Sequence, residues 1–312
     1  MGAKIHERAQ STAVTGTVLG IFSLLFWSST VAFGRRLTED LGVWTATSTA
    51  FIVAGVVSCL FWSVRNRGPQ HLVRHRPAYL WGAGGFFVLY IVCLYGAIGL
   101  AANRQQVLEV GILNYLWPAL TLVLSVPMLG NRPRWTLWPG LLFAVSGGAL
   151  ALVQQGALSW ETWQRNIVAH PLPYGLALLG AFAWALYSNL SRRYGPPCGV
   201  GAQPLFVLGA GLVLLVCRTF ASEHSTWTTT ACLMLAFTSI FTVTLAYAFW
   251  DYAMRTGRIV LLASLSYLIP VLSTALSAAL LRIRPGVVVW LACVLVIAGA
   301  LVCRASVLED RG

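Results

Sequence analysis

Charge is scarce in this 312-residue sequence. Asp, Glu, Lys and Arg together make up 10% of it, against roughly 25% in a soluble globular domain. Only nine residues are acids, and no two of them form a pair inside an apolar stretch. An enzyme working on lipids or isoprenoids within a membrane needs clustered acids for a metal, or a nucleophile beside its base. Neither arrangement is present, and there is no P-loop and no HExxH. The five histidines, His6, His71, His75, His170 and His224, all fall in loops or tails. The seven cysteines are odd in number and form no CxxC, so they are expected to pack as small, reduced, apolar residues. No metal and no cofactor is expected.

Apolar residues fill the space that charge leaves. They are 58% of the chain, and the mean hydropathy is +0.75. Ten runs long enough to span a bilayer can be drawn, at about 14–33, 45–64, 79–101, 107–129, 135–153, 172–190, 199–217, 231–252, 259–281 and 286–303. The connections between them are too short for a soluble domain. The expected fold is therefore an all-α polytopic membrane protein whose core is a helix bundle in lipid. Lys4 and Arg8 precede the first run, as in a signal peptide, but its length of about 20 residues favours a retained first helix.

The net charge of +12 does not point to nucleic acid, because the arginines are spread through short loops instead of gathered on one face. Their alternation is an orientation signal. With the N-terminus inside, inner loops and tails hold 14 of the 21 basic residues, including Arg65, Arg67, Arg74, Arg76, Arg132, Arg134, Arg192, Arg193, Arg255, Arg258, Arg304 and Arg311. The seven outside are Arg35, Arg36, Arg104, Arg165, Arg218, Arg282 and Arg284. Both termini are expected in the cytoplasm.

The chain also repeats itself. At a shift of 152 residues, Tyr95 meets Tyr247, "YLWPAL" (115–120) meets "YLIPVL" (267–272), Arg132-Pro133 meets Arg284-Pro285, and Gly147 meets Gly299. A shift of 157 brings Trp27 onto Trp184 and Arg35-Arg36 onto Arg192-Arg193. The expected units are residues 1–155 and 172–312, each a five-helix repeat. An odd number of crossings per repeat inverts the second against the first, which is an architecture of secondary transporters.

Within this frame, each half carries a proline-bearing fourth span that ends in a short loop. "EVGILNYLWP" (109–118), "FAWALY" (182–187) and "SYLIPVLS" (266–273) are the most distinctive strings. On these features the whole chain resembles the drug/metabolite transporter superfamily with EamA-type repeats, and within it the aromatic amino-acid exporters of the YddG type. One departure is Asn131 in "MLGNRP", where many members have Glu. The resemblance implies export of aromatic and other neutral amino acids across a bacterial cytoplasmic (inner) membrane. The implied partners are a small-molecule amino acid and the bilayer, with no nucleic acid; the oligomeric state is left open, and a monomer is compatible. A broad drug or metabolite effluxer is the nearest alternative. A lipid-modifying enzyme and a passive channel stand further off.

The candidate site follows from groups that are expensive in lipid. Pro118 has no N–H and leaves the Asn114 carbonyl without its helical partner, and Pro270 does the same to Ser266. Such breaks are tolerated at mid-depth where a cavity or polar neighbours satisfy them. Either these carbonyls, with the Asn114 and Ser266 side chains, receive a substrate ammonium, or each break is a simple kink that the bundle repairs. On the fourth span, Asn114, Trp117, Thr121 and Ser125 share one face. Tyr90, Tyr115, Trp117 and Trp184 lie deep enough to hold an apolar side chain, although core packing serves such rings equally well. Glu109 stands roughly 12 Å from the midpoint of its span and is a candidate proton-coupling acid. Asp251 lies near the inner end of the eighth span, and Arg104 or Arg255 is placed to neutralise one of these two acids locally.

Overall fold

The computed structural model describes residues 2–153, 160–197, 199–280 and 287–308. Arg282, the Arg284-Pro285 pair, Arg311 and Cys198 lie outside the described residues. The chain is a helical bundle. In order, it comprises α1 (Gly2–Leu41), α2 (Val43–Arg65), α3 (Gln70–Val73), a π-helical turn (Ala78–Ala83) running into α4 (Gly84–Gly99), α5 (Arg104–Asn114) and α6 (Trp117–Leu129). There follow α7 (Leu137–Val153), α8 (Trp160–Ala169), α9 (Pro171–Tyr194), α10 (Gln203–Thr219) and α11 (Thr229–Phe237). A second π-helical segment (Thr238–Leu245) leads into α12 (Ala246–Thr256), followed by α13 (Ile259–Leu265), α14 (Leu268–Leu280) and α15 (Val287–Ser306). A two-residue antiparallel pair, β1 (Arg132–Pro133) and β2 (Val307–Leu308), joins the loop after α6 to the end of α15.

Among the described residues, five stretches are long and apolar enough to cross a membrane: Gln10–Ser29, Val43–Arg65, Ala78–Gly99, Gln105–Leu129 and Thr229–Thr256. A sixth is bent by 98° between Trp163–Ala169 and Pro171–Tyr194, and Leu137–Leu150, Gln203–Thr219 and Trp290–Cys303 are shorter apolar helices. Large apolar side chains such as Leu60, Phe61, Val64, Leu233 and Val294 face outward and exposed. That distribution suits a solvent of acyl chains. The protein is an all-α polytopic membrane protein.

Helix ends carry local signals. Asn103 accepts from the Gln106 N–H at 2.9 Å and Thr228 from the Ala231 N–H at 3.1 Å, each satisfying a first-turn donor that the helix leaves open. The α1–α2 turn is capped from a distance: the Glu223 carboxylate accepts from the backbone N–H groups of Trp44 and Thr45, both at 2.9 Å.

The contacts between helix ends fall into two sets. At one end Thr226 N–H donates to Asp40 O at 2.8 Å, Trp44 packs over Gly99, and Gln106 Nε2 donates to His170 O at 3.1 Å. At the other, Arg192 donates to Gly257 O at 2.9 Å, Arg193 to Met128 O at 3.0 Å, and Arg134 N–H to Ser306 O at 2.7 Å.

Packing between elements pairs α2 with α10, α7 with α15, α1 with α12, and α4 with α9. The α7–α15 crossing depends on small residues. A Cβ on Gly147 would sit 2.7 Å from Ala292 O, and one on Gly299 would sit 2.5 Å from Ala144 N. Helices in lipid gain contact mainly by such close approach.

Two features differ from the sequence reading. The stretch before Pro171 was expected to be a loop, yet Trp160–Ala169 is helical. Its sequence alternates Trp163, Ile167 and Val168 with Glu161, Gln164, Arg165 and Asn166, the pattern of a helix lying in an interface. The third and eighth spans are also not regular helices, since each contains a π-helical segment.

Candidate functional site

At the centre of the bundle, aromatic rings pack against one another. Trp184 on α9 is 1% exposed. Its ring centroid lies 4.5 Å from Tyr90, 5.0 Å from Tyr187, 5.6 Å from Trp27, and 5.9 Å from each of Trp117, Tyr247 and Trp250. Trp117 meets Trp250 edge-on at 5.4 Å, and Phe87 meets Tyr247 edge-on at 5.1 Å. Edge and tilted contacts at these separations are favourable between ring quadrupoles. Of the sequence-predicted rings, Tyr90, Trp117 and Trp184 belong to this cluster, and Tyr115 packs against it half-buried.

The polar candidates are divided. The Asn114 amide lies beside the Tyr90 phenol, and its Oδ1 is buried with no hydrogen-bond partner. Trp184 Nε1 is likewise a buried donor with no partner. Ser266 differs: its hydroxyl donates to Leu262 O at 2.8 Å, and its carbonyl accepts from the Ile269 N–H at 3.1 Å. A tight three-residue turn thus takes up the acceptor that Pro270 leaves. Glu109 is fully buried, and there Tyr174 Oη donates to it and Asn166 Nδ2 donates to both its oxygens at 3.2 Å.

The helix is interrupted at Tyr115–Leu116 ahead of Pro118, and at Ser266–Tyr267 ahead of Pro270. At the first interruption Leu116 N–H turns back to Leu113 O at 3.1 Å, and Ala119 N–H donates at 3.0 Å to Tyr267 Oη from the second. The two breaks therefore touch.

Sequence reasoning missed several members. Tyr187 is one turn beyond Trp184 and Trp250 one turn beyond Tyr247, so a search for rings at helical spacing would have found both. A buried polar network was half seen. Arg255 Nε pairs with Asp251 Oδ2 at 2.9 Å, as the i,i+4 spacing allows. Asp251 Oδ1 also accepts from Tyr79 Oη at 2.9 Å and from Tyr187 Oη at 3.3 Å, and Arg255 Nη1 donates to Pro196 O at 2.7 Å. The distance of 172 residues between Tyr79 and Asp251 hid that part. A cavity of about 600 Å³ opens beside this end, lined by Pro127 to Asn131, Arg192, Arg193 and Ile259.

With this geometry in place, comparison with known proteins decides the family. The EamA-like transporter family matches residues 14–153 and again residues 172–304. The chain belongs to the EamA-like transporter family. It is 31% identical over 292 residues to the aromatic amino acid exporter YddG of Escherichia coli, covering 94% of this chain and 97% of that one. The protein of the same name in Ancylobacter novellus is 29% identical over 300 residues, covering 95% and 99%. A solved crystal structure superposes with a TM-score of 0.77 at 26% identity, covering 92% of this chain and 96% of its own. For an EamA-like transporter, a ring-lined centre with unpaired polar atoms is a place to look for substrate.

Proposed function

We propose that this protein exports aromatic and other neutral amino acids across a bacterial inner membrane, by alternating access around a site at mid-depth. The similarity to exporters so named supports the substrate class and direction, and a further relative, YedA of Escherichia coli, is named an inner membrane transporter. One observation carries the reading of the site. A buried donor, Trp184 Nε1, and a buried acceptor, Asn114 Oδ1, both without partners, belong to side chains that each lie against Tyr90. A buried polar atom left unpaired costs roughly 1–3 kcal/mol, so both gain from a ligand that supplies a carboxylate oxygen and an ammonium. An amino acid supplies both, and its side chain then lies among Tyr90, Tyr115, Trp117 and Trp184. Ser266 adds the remaining lone pair of its carbonyl. The rings close on one another here, so loading requires them to part.

Ten crossings with both termini in the cytoplasm fit the two sets of helix-end contacts. The two family matches support two repeats, residues 1–155 and 172–312. The pairing of α1 with α12 and of α4 with α9 is what exchange of two inverted halves requires, while α2–α10 and α7–α15 map onto themselves. On this reading, the loops containing Arg74 and Arg132 and the end of α9 that carries Arg192 are cytoplasmic, and α8 lies on the outer surface.

The test is export or counterflow of phenylalanine and threonine by the four ring-to-alanine variants at matched amounts of folded protein. Removing a ring that buries the substrate forfeits about 1.5–3 kcal/mol, which is about tenfold or more in affinity. The loss should be larger for phenylalanine. Equal losses for both substrates would mark the rings as structural, and no loss in any variant would place the site elsewhere.

A further inference from the structure

The two halves are alike in sequence but not in bonding, and the differences correspond. Trp27 Nε1 donates to Thr242 O at 3.2 Å. Thr242 lies in the π-helical segment Thr238–Leu245, where the widened ladder leaves a carbonyl free to accept from outside the helix. In the other half, Trp184 takes the place of Trp27 and Tyr90 that of Thr242, at the repeat's shifts of 157 and 152. Tyr90 sits in regular α-helix, so its carbonyl is occupied by the helix itself. The Trp184 indole N–H, against the Tyr90 ring at 4.5 Å, accordingly has no partner.

A second pair behaves the same way. The Ala119 N–H, released by the first helix break, is capped by Tyr267 Oη at 3.0 Å. The counterparts of these residues are Val271 and Tyr115. Among the described residues no bond joins the Val271 N–H to Tyr115 Oη. One member of each pair is made, and the other is open.

We propose that these are two exchangeable latches. In the opposite access state Trp184 Nε1 donates to Tyr90 O, with the π-helical widening moved from α12's lead-in to α4, and Tyr115 Oη caps the Val271 N–H. The Trp27–Thr242 and Tyr267–Ala119 bonds are then open. This rests on the alternating-access reading above, because exchange of conformation between inverted halves is what turns an internal asymmetry into a second state. It also gives Trp184 two uses of one N–H, substrate in one state and Tyr90 in the other, so that releasing substrate and changing state draw on the same donor.

Tyr267→Phe and Tyr115→Phe each delete one hydroxyl and keep the ring. The measurement is the distance distribution between paired spin labels in a variant with the native cysteines replaced, without substrate, in bilayers. One pair is at residues 132 and 197, and another at 102 and 222; all four positions are exposed. The expected result is opposite shifts. Tyr267→Phe depletes the state described here by about fivefold, Tyr115→Phe enriches it by a similar factor, and the double variant returns towards wild type, as one net hydrogen bond implies. Trp27→Phe should act in the sense of Tyr267→Phe. Two interconverting states with same-sign shifts, or none, would overturn the latches while leaving alternating access standing. A single distance for every variant, unchanged by added phenylalanine, would overturn alternating access and the latches with it. Size-exclusion profiles equal to wild type confirm that each variant is folded.

Discussion

Trp184 and Glu109 put two different residue-scale demands on the membrane. The indole N–H is unsatisfied, whereas the carboxylate is held by Tyr174 and Asn166. If Glu109 carries a coupling proton, Glu109→Gln should retain phenylalanine counterflow, which needs no net proton movement, and lose accumulation driven by a pH gradient. Measuring both in the same proteoliposomes checks this; loss of both together would mean that Glu109 only anchors α8. Asp251 makes a different prediction. Its side chain is 1% exposed and its partner Arg255 3%, so Asp251→Ala leaves a buried guanidinium without its counter-charge. The expected destabilisation is about 3–5 kcal/mol, seen as a lower thermal midpoint and lower folded yield in detergent, and an unchanged midpoint would refute it.

At the scale of elements, the prolines are the informative parts. Pro118→Ala and Pro270→Ala each restore a backbone donor, so neither variant should be less stable, and both should transport more slowly if the interruptions are needed to change state. Unchanged transport in both would reduce the breaks to packing. The interruptions were legible because proline has a fixed chemical consequence four residues upstream. The Ser266 side of the prediction was incomplete, since the repair by Ile269 depends on a local turn that no residue type announces. The crossing of α7 and α15 was visible only as Gly147 and Gly299 in register; what meets them required coordinates. The π-helical segments left no trace in hydropathy, because widening a turn by one residue leaves the composition of a span unchanged. The rings at Trp27, Tyr187, Tyr247 and Trp250 were visible as residues, but their convergence depends on which spans touch.

The whole molecule is a transporter frame built almost entirely of helices. Its proposed orientation predicts that a thiol placed at residue 102 or 222 reacts with an impermeant reagent from outside intact cells. One at residue 74, and a reporter at the C-terminus, should respond only from the cytoplasm; an external C-terminus would contradict the ten crossings. The central claim, that the frame carries aromatic amino acids through a saturable central site, is tested most directly by counterflow with the purified wild-type protein. Proteoliposomes are loaded with unlabelled phenylalanine, diluted into a trace of labelled phenylalanine, and challenged with tyrosine, tryptophan, threonine and a cationic dye. The expected result is a transient accumulation of label above equilibrium, suppressed strongly by tyrosine and tryptophan and less by threonine. Simple equilibration without an overshoot, or suppression by the dye but not by the aromatic amino acids, would contradict it.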